Sequence, residues 1–467
     1  MKAAACFIAA VQRTALAASL LLTLGQAWAV TPDPALIKRG EYLARAADCF
    51  ACHTADKSKP LAGGYGIDSP FGMIYTPNIT PDKETGIGNW TDDEFYRALH
   101  EGIGKHGQQL YPAFPYRSFT LMPRDDVLAI KAYLFAQPAI HYTPPPTHLP
   151  FPFNQRWLML GWKAFNFRPG EFKPEPGKDE SWNRGAYLVE GLAHCQECHT
   201  PRTVTMGLNA DKAFGGGRIG GWHAFNISSD PTSGVGGWSD EELIQYLKTG
   251  KVNGRAAAAG GMAEAVEDSL RYLNDADLKA IVGYLRSVPP VHNQKDAQSR
   301  STWGHLANDE VALRGTSGIS ASNDAVNGAE LFSANCASCH NPSGAGSSDG
   351  YYPSLIHNST VGARNPANLV LVLLNGVHRD MGNEQVFMPA FGDKLSDAQI
   401  ATLTNYVLER FGNPEPHVDA HFVKRLHHPG KGSIYQVMAI AAFVIVVLVI
   451  AAVLWAIRRR PLRVIRR

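Results

Sequence analysis

Apolar residues recur at helical spacing in three well-separated segments, 125–136, 275–287 and 397–411. Each opens on an acid and closes near a Gly or Pro, the start and stop signals of an amphipathic helix. Two further helices are announced by capping signals, Thr91-Asp92-Asp93-Glu94 and Ser239-Asp240-Glu241-Glu242. In both, the hydroxyl and the carboxylate can each accept from the backbone N–H beside the other. Long Gly- and Pro-rich loops separate these stretches, and few strands are evident. The pattern predicts an all-α body.

Two apolar runs lack the polar face of a surface helix. Residues 14–24, preceded by Lys2 and Arg13 and followed by Ala27-Trp28-Ala29, read as an export signal cleaved after residue 29. Residues 437–457 carry no charge and exceed the roughly 20 residues that cross a bilayer. Tyr435 and Trp455 stand near its two boundaries, and Arg458, Arg459, Arg460, Arg463, Arg466 and Arg467 follow it. Interfacial aromatics and a trailing basic cluster predict a transmembrane helix at 434–457 with a cytoplasmic tail at 458–467. The body would then lie in the periplasm, tethered to the bacterial inner (cytoplasmic) membrane by one C-terminal span.

Composition narrows the choices only modestly. Lys plus Arg number 44 against 42 for Asp plus Glu, so no field draws the body to nucleic acid. A length of 467 residues suits three domains. An internal repeat agrees with that number. Arg39-Gly40-Glu41-Tyr42-Leu43 is echoed by Arg184-Gly185-Ala186-Tyr187-Leu188, and Asn78-Ile79-Thr80 with Gly86 to Trp90 by Asn226-Ile227-Ser228 with Gly234 to Trp238. A third, shorter unit opens at Asn327. The Pro-rich stretch around Pro144-Pro145-Pro146 is a stiff linker, and a polar stretch follows Pro289-Pro290. These features divide the mature chain into domains at 30–143, 178–290 and 326–415, with linkers at 144–177 and 291–325.

The chemistry resides in a five-residue motif that occurs three times: Cys49-Phe50-Ala51-Cys52-His53, Cys195-Gln196-Glu197-Cys198-His199 and Cys336-Ala337-Ser338-Cys339-His340. C-x-x-C-H is the spacing of covalent c-type haem attachment. On a helix the two thiols and the imidazole share one face, so both thiols can form thioethers to one porphyrin while the imidazole reaches its iron. Six of seven cysteines are used in this way, and the seventh, Cys6, lies in the export signal. Zinc would require four ligands drawn from matching pairs. A thioredoxin-like pair needs no trailing His. Disulfides would not explain three identical spacings. The motifs therefore predict three haem c groups, and with the helical pattern they predict three tandem class I cytochrome c domains plus the C-terminal transmembrane helix.

An iron that only relays electrons has protein ligands on both axial positions, commonly His and Met. Met388 stands just before the 397–411 helix, and Met122 holds the matching place before the 125–136 helix. Met73 rivals Met122. Met262 follows a flexible run of small residues, whereas Met206 is too near its own motif to reach the opposite haem face. His53, His199 and His340 with Met122, Met262 and Met388 are thus the expected iron ligands, with His100, His106 and His223 as less favoured alternatives to Met. Met159 and Met381 read as ordinary residues. Trp90 and Trp238 read as core aromatics that keep water from the haem. Gly215-Gly216-Gly217-Arg218-Ile219-Gly220 matches a dinucleotide fingerprint in form only, because no strand precedes it and no helix follows. No organic-cofactor or catalytic site is visible.

The loops Tyr75-Thr76-Pro77-Asn78-Ile79-Thr80-Pro81-Asp82, Leu110-Tyr111-Pro112-Ala113-Phe114-Pro115-Tyr116, Phe225-Asn226-Ile227-Ser228 and Gly261-Met262-Ala263-Glu264, with the three haem motifs, extend the picture. Over nearly all of its mature length the chain resembles the triple-haem cytochrome c subunits of membrane-bound bacterial dehydrogenases for alcohols, aldehydes, gluconate, sorbitol and fructose. The resemblance implies an electron-transfer subunit. A catalytic subunit bearing flavin, quinone or a molybdenum cofactor, accompanied by a small third subunit, oxidises substrate, and the cytochrome passes electrons to ubiquinone. It also implies Met122, Met262 and Met388 as distal ligands. The apolar run at 437–457 is more similar to cytochromes that accompany molybdenum dehydrogenases of aldehydes or N-heterocycles. Two other readings compete: a haem enzyme acting directly on a small molecule, and a general membrane cytochrome feeding a terminal oxidase.

Overall fold

The computed structural model describes residues 33–310, 327–382 and 384–428, with scattered positions between 437 and 455. The first unit opens with α1 (Pro34–Ala46). The Asp33 carboxylate accepts from the Ala35 N–H at 2.9 Å, and Pro34 occupies the first turn, where no N–H is required. Left-handed Asp48 (φ 56°) separates α1 from α2 (Cys49–His53), which carries the first motif. A hairpin of β1 (Gly66–Ser69) and β2 (Gly72–Tyr75) follows. The helix α3 (Asp92–Glu101) starts on the expected capping box, with Thr91 and Glu94 bonded reciprocally at 3.2 and 2.8 Å, and stops at left-handed Gly102. Then come α4 (Tyr116–Phe119) and α5 (Arg124–Phe135), the latter one residue ahead of its expected position.

After α6 (Leu158–Asn166) the second unit repeats this order. The helix α7 (Glu180–Ala186) continues through a π-helical turn, Tyr187–Leu192, to α8 (Gln196–His199). Next are the hairpin β3 (Gly217–Ile219) and β4 (Trp222–Ala224), and α9 (Asp240–Thr249), which has its own Ser239–Glu242 capping box and ends at left-handed Gly250. The unit closes with β5 (Lys251–Val252), β6 (Ala256–Ala257), α10 (Gly261–Asp268) and α11 (Asp275–Ser287), the last where the apolar spacing places it. In both of these units the first helix crosses the last at a glycine. A Cβ on Gly40 would lie 1.9 Å from the Ala129 carbonyl oxygen, and one on Gly185 2.0 Å from that of Ala280. Only glycine permits backbones that close.

Leu43, Phe50, Phe95, Met122 and Ile130 of the first unit share one buried core with Leu188, Leu192, Val266, Leu278 and Ile281 of the second. The third unit has its own core, built on Leu331, Phe332, Val370, Leu373, Ile400, Leu403, Val407 and Phe411. Its elements are α12 (Gly328–Asn335), α13 (Ala337–His340), α14 (Ala367–Asn375), β7 (Val377–Asp380), β8 (Gln385–Met388), α15 (Asp397–Phe411) and α16 (Ala420–His427). Arg379 of β7, 1 % exposed, reaches into the second unit and donates to the Gly250 and Ala258 carbonyls at 3.1 and 2.9 Å. Asn368 accepts from the His223 N–H at 2.8 Å and donates to the His223 carbonyl at 2.9 Å, which secures β4.

The expected fold class requires two corrections. It is not all-α: β1/β2, β3/β4, β5/β6 and β7/β8 each form a two-stranded antiparallel sheet. Their strands of two to four residues are too short for a period-two pattern to emerge. The β3/β4 hairpin turns on Gly220-Gly221, both at positive φ, as a tight two-residue turn requires. The glycine run at 215–220 therefore includes β3. Second, no helix among the described residues is long and apolar enough to cross a membrane. The longest, α15, has 15 residues against the roughly 20 needed. The transmembrane helix at 434–457 and the localisation built on a single C-terminal span in the inner membrane are thus not supported. Most of 434–457, the tail at 458–467 and the export signal at 1–29 lie outside the described residues.

Candidate functional site

Each motif histidine makes the same contact. His53 Nδ1 lies 2.7 Å from the Pro77 carbonyl oxygen, His199 Nδ1 2.6 Å from that of Phe225, and His340 Nδ1 2.9 Å from that of Pro353. A carbonyl can only accept, so Nδ1 carries the proton and Nε2 keeps a lone pair free for a metal. This arrangement selects the ligating tautomer and fixes the ring plane, as outer-shell partners of metal-bound histidines do. Burial pushes the His53 and His199 imidazoles down to about 4 and lowers His340 as well, so all three stay neutral at physiological pH. Proton competition for the Nε2 lone pair is correspondingly weak.

Five of the six motif thiols are shifted too, with Cys336 buried and the other four half-buried. Burial pushes Cys49, Cys195 and Cys336 up to about 12 and Cys198 up to about 11, and it raises Cys52 further. A redox-active or zinc-binding thiolate needs the opposite shift, whereas thioether formation to a porphyrin leaves no charge behind. The donor set suits haem c: a pair of thiols and one neutral imidazole of fixed tautomer, in each of three places.

The methionines fall at distinct depths. Met122, following α4, is fully buried in the first core. Met262 in α10 packs against the edge of that core, and Met388 at the end of β8 packs against the core of the third unit. Met73 lies in β2 opposite Asp68, and its carbonyl accepts from the His148 N–H at 3.2 Å. Among the alternative histidines, His100 stacks on Tyr96 at 4.8 Å with both ring nitrogens buried and unpartnered, and His106 is exposed on a turn. His223 in β4 has its Nδ1 buried without a partner. Trp238 is 7 % exposed in a small core of its own, and Trp90 packs on the first core.

The structure adds a feature that the repeat contained but did not explain. Arg39 pairs with Asp126 within the first unit, and Arg184 grips Asp277 within the second through Nε at 2.9 Å and Nη2 at 2.7 Å. The tyrosines cross over. Tyr42 of the first unit donates to Asp277 at 2.6 Å, and Tyr187 of the second donates to Asp126 at 2.5 Å. The result is a reciprocal clasp in which equivalent residues of the two copies exchange hydrogen bonds. Burial pushes Asp277 upward, but the bonds from Arg184 and Tyr42 outweigh it and hold the carboxyl below its usual range. Both phenols are pushed well up, first by burial and then by their carboxylate partners. The Arg-x-x-Tyr spacing shared by the two copies was the available signal. The two aspartates were legible only as helix-start acids.

Histidines held in one tautomer beside paired thiols on short helices define a c-type cytochrome. The cytochrome c family model matches residues 37–136 and 325–410, which include the first and third motifs. The chain is 42 % identical to the fructose dehydrogenase cytochrome subunit of Gluconobacter japonicus, over 96 % of this chain and 98 % of that protein. It is 39 % identical to the alcohol dehydrogenase (quinone) cytochrome c subunit of Gluconacetobacter polyoxogenes, over 86 % of each. It is 38 % identical to the gluconate 2-dehydrogenase cytochrome c subunit of Pantoea cypripedii, over 82 % of this chain and 87 % of that one. The chain belongs to the cytochrome c subunits of membrane-bound dehydrogenases. As such it binds haem c covalently and transfers electrons as part of a complex with a catalytic dehydrogenase subunit.

Proposed function

We propose that the chain carries electrons from a catalytic subunit oxidising an alcohol, aldehyde or sugar acid, through three covalent haem c groups, to ubiquinone. The carrying observation is the threefold His Nδ1–carbonyl contact, repeated at His53, His199 and His340. Cys49 with Cys52, Cys195 with Cys198, and Cys336 with Cys339 would hold the three groups in domains at 30–143, 178–290 and 326–415. Haem supplies one-electron Fe(III)/Fe(II) chemistry, so a two-electron substrate oxidation is divided into single steps. The histidines orient their rings and supply Nε2. Met122, chosen over Met73 for its burial, with Met262 and Met388, would close the second axial positions, exclude water and raise the potentials. The partner complex in this reading includes a small third subunit, and the chain performs no substrate chemistry of its own.

The experiment is reduction of the assembled complex by substrate. Expression with the neighbouring catalytic subunit should give a stoichiometric complex in which substrate reduces every haem and a soluble ubiquinone analogue reoxidises them. A chain that purifies alone and turns over peroxide or a sulfur compound with a displaceable iron ligand would establish the haem-enzyme reading instead.

A further inference from the structure

Arg300 lies in a short 3₁₀ turn, Arg300–Thr302, within the segment that joins the second and third units. Its guanidinium stacks 4.6 Å over the ring of Phe225, the residue whose carbonyl holds His199. Nη1 donates to the Ser233 carbonyl at 2.8 Å, and Nη2 reaches the Asn226 carbonyl at only 3.3 Å. The Nε–H is buried and has no partner, and Arg300 forms no ion pair among the described residues. The backbone of the third unit presses on this turn, since a Cβ on Gly362 would lie 1.9 Å from the Arg300 carbonyl oxygen.

A guanidinium desolvated among neutral carbonyls and an aromatic face is costly unless an anion meets it. Burial pulls Arg300 down to about 10, against smaller opposing pulls from Tyr246 and the more distant Asp296, which forms no ion pair with it. The edge left over is the Nε/Nη2 side, where two parallel N–H groups suit a carboxylate in bidentate fashion. Haem carries two carboxylates, its propionates, and Arg300 is close enough to His199 of the second motif for its charge to act there. His223, unpartnered at Nδ1, meets the Phe225 ring at 5.8 Å in the same region.

We propose that Arg300 grips a propionate of the haem attached at Cys195 and Cys198 and raises the reduction potential of that haem. The inference rests on the three-haem reading above. A fixed cation at the porphyrin edge favours the ferrous state, which carries one positive charge less. Because the turn is pinned by the third unit, docking of that unit would set the potential of the central haem.

The test is a redox titration of the full-length holoprotein, resolved into its three haem components, with haem counted per chain. In Arg300→Gln three haems remain, and one component falls by a tenfold shift in its one-electron equilibrium, about 59 mV. Arg300→Lys keeps the charge but loses the fork, and the same component falls by about threefold. If Arg300→Gln does not accumulate, the lysine variant decides alone. Three haems with all components unmoved, or all three moved equally, overturn the proposal. A parent protein lacking haem at Cys195 and Cys198 overturns the three-haem reading instead.

Discussion

Replacing Asp277 with alanine lowers the stability of the holoprotein by about 3 kcal/mol, read from the denaturant midpoint. Its carboxylate is 9 % exposed and takes two N–H groups of Arg184 and the hydroxyl of Tyr42. Truncation leaves a guanidinium about a third exposed, which water partly rescues, and a half-buried phenol that has lost its acceptor. The figure is therefore at the low end for a broken buried pair. Tyr42→Phe, which removes only the crossing bond, costs about 1 kcal/mol. An Asp277→Ala protein within ~0.5 kcal/mol of the parent, the scatter of an ordinary surface change, would show that the clasp does not hold the two units together.

Replacing any one of Met122, Met262 and Met388 with leucine moves one third of the haem complement from low spin to high spin in optical and paramagnetic resonance spectra. Leucine fills much the same volume at a cost under about 1.5 kcal/mol, so loss of the sulfur is separated from loss of packing. That separation matters most for Met122, which is fully buried in the shared core. A Met→His replacement at the same position keeps the haem low-spin but lowers its potential, because thioether ligation is what raises it. Spectra unchanged in all three leucine variants would remove these methionines from the irons and reopen Met73, His100, His106 and His223.

What could be read in the sequence was what short-range chemistry dictates. The three C-x-x-C-H motifs, the two capping boxes and the apolar spacing of α11 and α15 are local patterns, and each lies on a helix in the structure. The β hairpins were missed because strands this short take their stability from the turn and the neighbouring loop rather than from alternation. The apolar run at 437–457 met the length criterion for a span, but no described helix does. The clasp was half visible, since Arg39, Tyr42, Arg184 and Tyr187 stood out as a repeat while their acceptors lie 87 and 93 residues from the arginines they bind. Arg300 gave no signal, because it sits in a polar linker and its surroundings exist only once the chain has folded. The histidine acceptors were likewise invisible, although Pro77 and Phe225 belong to loops that marked the family resemblance.

The three-station relay stands or falls on the number of haems. The most direct measurement is the intact mass of the mature holoprotein, taken together with its haem-to-protein ratio. The mass should exceed that of the polypeptide by three haems, and the ratio should drop to two when Cys195 and Cys198 are both replaced by alanine. Two haems in the parent, with the ratio unchanged by that replacement, would contradict the three-station relay.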